Sequence, residues 1–310
     1  MKHLRGYTMI LTAAILWGIS GTLAKVLLNH AVDTLLIVQT RVTFSFLALL
    51  AILALLQPAL LKVRSRDLLA LTALGIIGVA GANFSYYYTI KESTVATAIL
   101  LQYTAPLLVM SYAVISRDER ITLHKIAAAV FSLTGCYFAV GGYGGALGQL
   151  TPLSLLTGIA SSVSFAFLSI TTRHLLARYS MWTVTVYSLG AASMFWLIVL
   201  PPTPHRLDSI NGGLWGILAG FAFISILIPH SLFFGGLRHV VASRAVIIST
   251  FEPIVAIVSA SMIVGEILGP LQIGGAILVI TSIVFLELRR ESPQISEVAT
   301  THTETPNVAQ

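Results

Sequence analysis

The sequence QYTAP at residues 102–106 is followed, thirteen residues after its proline, by Glu119. A second copy of this pattern reads STFEP at residues 249–253 and is followed, at the same interval, by Glu266. A single offset of 147 residues therefore relates the two prolines and the two glutamates. The pattern predicts a duplicated chain, and a repeat of this length is too long for a solenoid unit.

The composition predicts a membrane protein. Hydrophobic residues make up 56% of the chain and charged residues 10%, whereas an ordinary soluble domain has roughly 25% charged residues. This balance leaves too few charged residues to cover a surface in water, so we expect lipid around the protein. The net charge of +6 does not indicate nucleic-acid binding, because the basic residues lie singly between apolar runs and form no basic stripe.

The apolar runs are long enough to cross a bilayer. A hydrocarbon core about 30 Å thick requires roughly 20 mainly apolar residues per helix. Ten predicted spans satisfy this length, at residues 7–27, 34–56, 68–89, 93–116, 123–142, 151–172, 181–200, 213–235, 241–264 and 270–288. Five spans per half is an odd number, so the second half enters the membrane in the opposite sense. The sequence predicts an all-α integral membrane protein with a five-plus-five inverted repeat.

The distribution of Lys and Arg predicts the orientation. With the N-terminus in the cytoplasm, fourteen of these residues fall in inner segments and two, Lys91 and Arg206, in outer segments. Cytoplasmic loops are enriched in Lys and Arg, so both termini are predicted to be cytoplasmic. Residues 291–310 are rich in Thr, Ser, Glu and Pro, and we expect this tail to be disordered because it has little to bury.

Together, the ten spans, the inverted repeat, the Trp17-Gly18 pair in the first span and the duplicated proline-glutamate pattern resemble the EamA family of the drug/metabolite transporter superfamily. The resemblance implies two five-helix repeats, at residues 5–142 and 151–290, around a central cavity. It implies a secondary transporter in the plasma membrane that moves small, amino-acid-like metabolites, with efflux by alternating access as the expected mode. Transport of drugs or nucleotide sugars is the alternative within the superfamily.

Glu252 is the most deeply placed carboxylate. A charged residue at membrane depth is unfavourable by a few kcal/mol, and the neighbouring Pro253 cannot donate a backbone hydrogen bond, which frees the carbonyl of Ser249. Our hypothesis is that Glu252 binds a cationic group of the substrate or a proton. The alternative is a neutralising ion pair with Lys25 or Arg41.

Arg41, in the second span, is a candidate ligand for a substrate carboxylate, because guanidinium groups bind carboxylates through two parallel hydrogen bonds. Snorkelling to the interface and pairing with Glu252 are the alternatives. In the third span, Asn83 and Tyr87 are four residues apart and share a helix face. They form a predicted wall for a small polar ligand.

The fourth and ninth spans are interrupted at corresponding prolines, Pro106 and Pro253, which is a sequence signature of a transporter binding site. The sequence therefore predicts a site near these breaks, with one shared helix face for Gln102 and Pro106 and another for Ser249 and Pro253. Tyr103, beside the first break, is a further candidate.

Three further residues concern the site or its surroundings. His230, directly after Pro229 in the eighth span, is a candidate proton carrier or a hydrogen-bonded packing residue. The family resemblance adds Trp17 to the candidate site. Glu119 is expected to be structural, in an ion pair with Arg117 or Arg120 that orders a loop.

The main alternative class is a membrane-embedded enzyme. The chain contains neither a Gly-x-Ser-x-Gly nucleophile motif nor a His-Glu-x-x-His metal motif, and it contains no Gly-x-x-x-x-Gly-Lys phosphate loop. We therefore expect no enzyme activity, no cofactor and no metal. The expected partners are a small-molecule substrate, the lipid bilayer and protons as a coupling ion, and the sequence does not indicate an oligomeric state.

Overall fold

The structure, a computed structural model, describes residues 2–28, 34–93, 95–117, 119, 121–144, 150–201, 212–264 and 268–288. Within these residues, the regular secondary structure is helical and contains no strand, so the all-α prediction is confirmed for this part of the chain. The predicted disordered tail at 291–310 lies outside the described residues, as do Arg120 and Glu266.

The described helices begin and end within five residues of the predicted spans. They are α1 (Lys2–Leu28), α2 (Thr34–Leu56), α3 (Ser65–Glu92), α4 (Val95–Gln102 and Ala105–Ser116), α5 (Leu123–Ala139), α6 (Pro152–Leu175), α7 (Met181–Val199), α8 (Gly212–Leu237), α9 (Ala242–Ser249 and Glu252–Val264) and α10 (Pro270–Leu288). A short 3-10 helix covers Pro58–Leu61.

Among the described residues, eight helices are long and apolar enough to cross a membrane, and two apolar stretches, Leu123–Ala139 in α5 and Pro270–Leu286 in α10, are shorter. The chain is therefore a multi-pass membrane protein. The total of ten spans stays a prediction, because it depends on α5 and α10.

Helices α4 and α9 are each interrupted beside their proline. The first piece of α4 ends at Gln102 and the second contains Pro106 in its first turn, and the corresponding residues of α9 are Ser249 and Pro253. Proline has no N–H group and its ring collides with the preceding turn, so it is tolerated in the first turn of a helix but not in its interior. Gln102 and Pro106 therefore lie on separate helical pieces, as do Ser249 and Pro253. The expectation that each pair shares a helix face stays a prediction.

Helices α3 and α8 each contain π-helical turns, which the sequence does not predict. These turns cover Leu74–Ala80 and Phe223–Leu227. The 147-residue offset maps the first stretch onto residues 221–227, so the two stretches end at equivalent residues. In each helix, a candidate site residue, Asn83 or His230, follows the last π-helical residue by three positions. π-helical turns are frequent at functional sites, so this repeated irregularity supports a site near both residues.

The two halves of the chain interlock. Helix α1 packs against α8 and α9, while α6 packs against α3 and α4. Helix α2 lies against α7, and α5 lies against α10. The first helix of each half therefore covers the third and fourth helices of the other half, which is the arrangement expected of two halves related by a pseudo-two-fold axis.

The contact between α5 and α10 depends on a close approach at Gly275. A Cβ atom at this position would lie 2.6 Å from the Gly135 carbonyl oxygen, whereas a Cβ atom at Gly274 would have no atom within 4 Å. Small residues allow helix backbones to approach closely in lipid.

We expect Gly275→Ala to destabilise the protein by roughly 1–3 kcal/mol, because the backbone of α5 has to move away. Gly274→Ala is the matched control and is expected to leave stability unchanged. The measurement is the thermal unfolding midpoint of both variants in the same detergent. Equal midpoints for the two variants would contradict the close approach.

Two carboxylates join the halves away from the helix breaks. Asp67, in the first turn of α3, accepts hydrogen bonds from Arg178 Nη1 at 2.9 Å and from the Tyr179 hydroxyl at 2.6 Å. Glu119 accepts from the Ser243 backbone N–H at 3.3 Å and from the Ser243 hydroxyl. Both residues therefore connect the first half to the second.

Glu119 also forms an ion pair with Lys125 Nζ at 3.6 Å, with side-chain exposures of 3% for Lys125 and 7% for Glu119. The expected ion pair with Arg117 is not formed among the described residues. Glu119 instead stabilises the N-terminus of α9, where backbone N–H groups lack helical partners.

Candidate functional site

The two helix breaks meet at Tyr103. Tyr103 lies in the α4 break, and its hydroxyl contacts α9 twice, at 2.6 Å from Glu252 Oε2 and at 3.0 Å from the Ser249 carbonyl oxygen. Residue 253 is proline and cannot donate to that carbonyl, so the proline creates the polar group that Tyr103 contacts. Tyr103 is 2% exposed, and its ring therefore carries a hydrogen-bonding group into the protein interior.

Arg41 extends from α2 to α3. Its Nη2 atom donates to Asn83 Oδ1 at 2.9 Å and its Nη1 atom donates to the Tyr87 hydroxyl at 3.2 Å. The Asn83 amide is oriented by a 2.7 Å hydrogen bond from its Nδ2 atom to the Val79 carbonyl oxygen. Asn83 and Tyr87 thus lie on one face of α3, as expected from their spacing, and both contact the guanidinium group.

The charge of Arg41 has no carboxylate partner among the described residues. Its Nε atom is buried and makes no hydrogen bond. Arg41 and Glu252 do not form an ion pair, although they are near enough to interact electrostatically. Arg41 and Glu252 therefore lie in one region without contacting each other, and each is bonded to neutral groups.

An aromatic cluster adjoins these charged residues. The Trp17 ring packs edge-on against Phe165, with centroids 6.4 Å apart, and against His230 at 5.3 Å, and it contacts Phe233 at 5.4 Å. His230 is buried and its Nδ1 atom has no hydrogen-bond partner. The Arg41 charge also interacts electrostatically with His230. The cluster provides a largely apolar wall, in which the polar atoms are the Trp17 indole nitrogen and the two His230 ring nitrogens.

Gln102 contacts α6. Its Oε1 atom accepts from the Ser161 hydroxyl at 3.1 Å, and the neighbouring Thr104 and Ser162 hydroxyls are 2.8 Å apart. These bonds fix the α4 break against the first helix of the other half. Gln102 is therefore bonded to the second half of the chain, whereas Arg41 is bonded to residues of the first half.

Sequence reasoning did not single out Phe233 or Tyr86. Tyr86 interacts electrostatically with both Arg41 and Glu252, and it packs edge-on against Tyr87 with ring centroids 5.5 Å apart. The three consecutive tyrosines at residues 86–88 are visible in the sequence, but the sequence does not indicate which of the three rings faces the protein interior. Phe233 lies in an apolar run and carries no distinguishing pattern.

A cavity of about 480 Å³ lies between α4, α6, α8 and α9. Its lining includes Val109, Glu119, Arg173 and Arg238 and none of the predicted site residues. Val109 follows Tyr103 by six residues in α4, a distance of roughly 9 Å along a helix. The cavity is therefore separate from the helix breaks, and its lining includes the basic residues Arg173 and Arg238.

Interlocked helices, two of them broken around buried polar groups, form the arrangement of a membrane transporter. The model of the EamA-like transporter family matches residues 4–141 and, a second time, residues 152–288. The chain belongs to this family.

Two relatives with similar sequences are also named as a transporter and an exporter. The chain is 30% identical over 277 residues to a protein of Archaeoglobus fulgidus named "uncharacterized transporter", covering 88% of this chain and 93% of the relative. It is 26% identical over 230 residues to a protein of Streptantibioticus cattleyicolor named "probable terminal-alkyne amino-acid exporter", covering 73% of this chain and 75% of the relative. A solved crystal structure superposes with a TM-score of 0.75 at 20% identity, covering 91% and 96% of the two chains, and shares the fold.

Proposed function

We propose that this transporter exports small zwitterionic metabolites of the amino-acid type across the plasma membrane by alternating access. The observation that carries the proposal is the pair of separated charges, Arg41 and Glu252. Each is bonded to neutral side chains, and they do not neutralise each other. A zwitterion supplies one group for each charge.

In this proposal, Arg41 binds the substrate carboxylate. The Nε atom of Arg41 is unpaired, and Asn83 and Tyr87 hold the guanidinium plane in place. A guanidinium group with a free edge suits a carboxylate, which accepts two parallel hydrogen bonds. Glu252 binds the ammonium group, and the aromatic cluster around Trp17 contacts the substrate side chain.

The interlocked halves support alternating access. In an inverted repeat, one half rocks against the other around a fixed central site. We propose that α1–α5 and α6–α10 are two such repeats with both termini in the cytoplasm, as the distribution of Lys and Arg indicates. The name of the Streptantibioticus relative, which mentions an amino acid and export, is consistent with the substrate class and direction.

The proposal predicts that both charged groups of the substrate are needed for binding. A thermal-shift screen of the purified protein would compare each standard amino acid with its amide and with its desamino acid. A ligand that binds the folded state raises apparent stability, by about 2.7 kcal/mol at a concentration 100-fold above Kd. We expect stabilisation by at least one amino acid and a loss of at least 10-fold in apparent affinity for both analogues.

Three results would contradict this proposal. Equal stabilisation by the amide would mean that no carboxylate is bound, and equal stabilisation by the desamino acid would mean that no ammonium is bound. Stabilisation by a nucleotide sugar and by no amino acid would mean that the substrate is a nucleotide sugar and not an amino acid.

A further inference from the structure

The cavity of about 480 Å³ lies at one end of the helix bundle. Its lining comes mainly from the last two turns of α4 and α6, the end of α8 and the start of α9. The distribution of Lys and Arg predicts this end to be cytoplasmic. Val109 and Glu119 belong to the first half of the chain, whereas Arg173 and Arg238 belong to the second, so both halves line the cavity.

Arg173 connects α6 to the end of α8. Its Nη1 atom donates to the Leu237 carbonyl oxygen at 3.3 Å and to the Val240 carbonyl oxygen at 2.6 Å. Arg238 lies between these two residues in the sequence, so the two arginines are neighbours in the structure. The Arg238 side chain is exposed and, among the described residues, makes no hydrogen bond or ion pair. Its guanidinium group is therefore available to a ligand in the cavity.

The carboxylate in the cavity lining does not neutralise Arg238. Glu119 forms its ion pair with Lys125 at 3.6 Å and accepts two hydrogen bonds from Ser243. Like charges near a protein surface repel more strongly than in bulk water, because the effective dielectric constant is lower there. An anion that binds both Arg173 and Arg238 therefore reduces the repulsion between them.

Helix ends and neighbouring side chains also affect the binding of an anion. The carboxyl end of a helix carries a partial negative charge, which is unfavourable for an anion. At the end of α8, however, two carbonyl groups are already bonded to Arg173. His174 and Tyr112, with ring centroids 6.4 Å apart, line the same cavity. Their imidazole N–H and phenol O–H groups are further donors for an anion.

We propose that this cavity is a binding site for a phosphate group, bound by the guanidinium groups of Arg173 and Arg238. Guanidinium groups bind phosphate through two parallel hydrogen bonds, and basic pockets between membrane helices on the cytoplasmic side bind the head groups of anionic lipids. The phosphate belongs either to an anionic phospholipid or to free phosphate in the cytoplasm, since the same donors suit both. The site is separate from Arg41 and Glu252 and does not depend on the proposed substrate. Because both halves line the cavity, a bound phosphate is expected to stabilise the packing between them.

Thermal unfolding of the delipidated protein in detergent tests the site. The probes are inorganic phosphate, a phosphatidylglycerol, and a phosphatidylcholine with the same acyl chains, all at one ionic strength. A ligand that binds the folded state raises the unfolding midpoint, and we expect this rise with phosphatidylglycerol or with both phosphatidylglycerol and inorganic phosphate. In Arg238→Gln, the apparent affinity is expected to fall at least 10-fold. Arg66→Gln is the matched control and keeps the parental affinity, because Arg66 is exposed on the same predicted side and does not line the cavity.

The probes also distinguish the source of the phosphate group. A rise with phosphatidylglycerol alone assigns the site to a lipid head group, and a rise with inorganic phosphate as well assigns it to the phosphate itself. Arg238→Lys keeps the charge and is expected to have an intermediate affinity, which separates loss of binding from loss of the fold. An equal rise with phosphatidylcholine, no rise with any probe, or parental affinity in Arg238→Gln overturns the proposal.

Discussion

Replacing Arg41 by glutamine is expected to lower the affinity for a carboxylate-bearing substrate by roughly 10- to 100-fold, because a hydrogen bond to a charged group contributes about 1.5–3 kcal/mol. Binding of the corresponding amide is expected to stay unchanged, since it has no carboxylate to lose. Arg41→Lys keeps the charge but loses the planar fork of donors, and we expect an intermediate loss. The measurement is Kd for one amino acid and its amide by isothermal titration calorimetry.

Lys91 provides the matched control for Arg41. Lys91 Nζ lies 5.7 Å from the centroid of the Tyr88 ring, much as Arg41 Cζ lies 5.6 Å from that of Tyr87. Lys91 is exposed at the end of α3, so Lys91→Gln is expected to leave both affinities unchanged. An equal loss for the amino acid and its amide in Arg41→Gln would show that Arg41 supports the fold and does not bind the carboxylate.

Replacing Gly18 by alanine is expected to impair both stability and transport. A Cβ atom at this position would lie 2.6 Å from the Glu252 carbonyl oxygen and 2.6 Å from Val255 Cβ. Relieving this overlap requires α1 and α9 to separate, and α9 carries Glu252, which contacts Tyr103. Overpacking of this kind destabilises by roughly 1–3 kcal/mol, and we expect a lower thermal unfolding midpoint and at least a 10-fold loss of amino-acid efflux from proteoliposomes.

Gly21 lies one turn further along α1 and is the control for Gly18. No atom lies within 4 Å of a Cβ built at Gly21, so Gly21→Ala is expected to retain parental stability and efflux. Similar losses in both variants would mean that α1 tolerates no added side-chain volume anywhere, and the specific contact with Glu252 would not explain the result.

Much of the fold could be predicted because the responsible signals are local. Apolar run length determines where helices such as α2 begin and end, and the missing N–H group of Pro106 and Pro253 determines where α4 and α9 break. The π-helical turns of α3 and α8 could not be predicted, because their apolar residues suit an ordinary α-helix equally well.

The candidate site was predictable in its residue types and not in its contacts. Glu252 and Arg41 stand out as charges within apolar runs, and pairing between them was one alternative in the sequence. Which neutral groups they contact depends on how α2, α3, α4 and α9 pack, and this information is distributed over the whole chain. The aromatic contact of Trp17 with Phe165 likewise joins residues 148 positions apart.

The interlocking of the halves explains how a single carboxylate can stand at the centre of a duplicated protein. A half-length chain with this packing has no cover for its third and fourth helices unless a second copy supplies its first helix. In a dimer of two identical half-chains, any residue at the Glu252 position would appear twice, facing itself across the axis. Fusing two copies into one gene removes that constraint, so Ala105 can occupy the equivalent position in the other half and the two copies can diverge into different chemical roles.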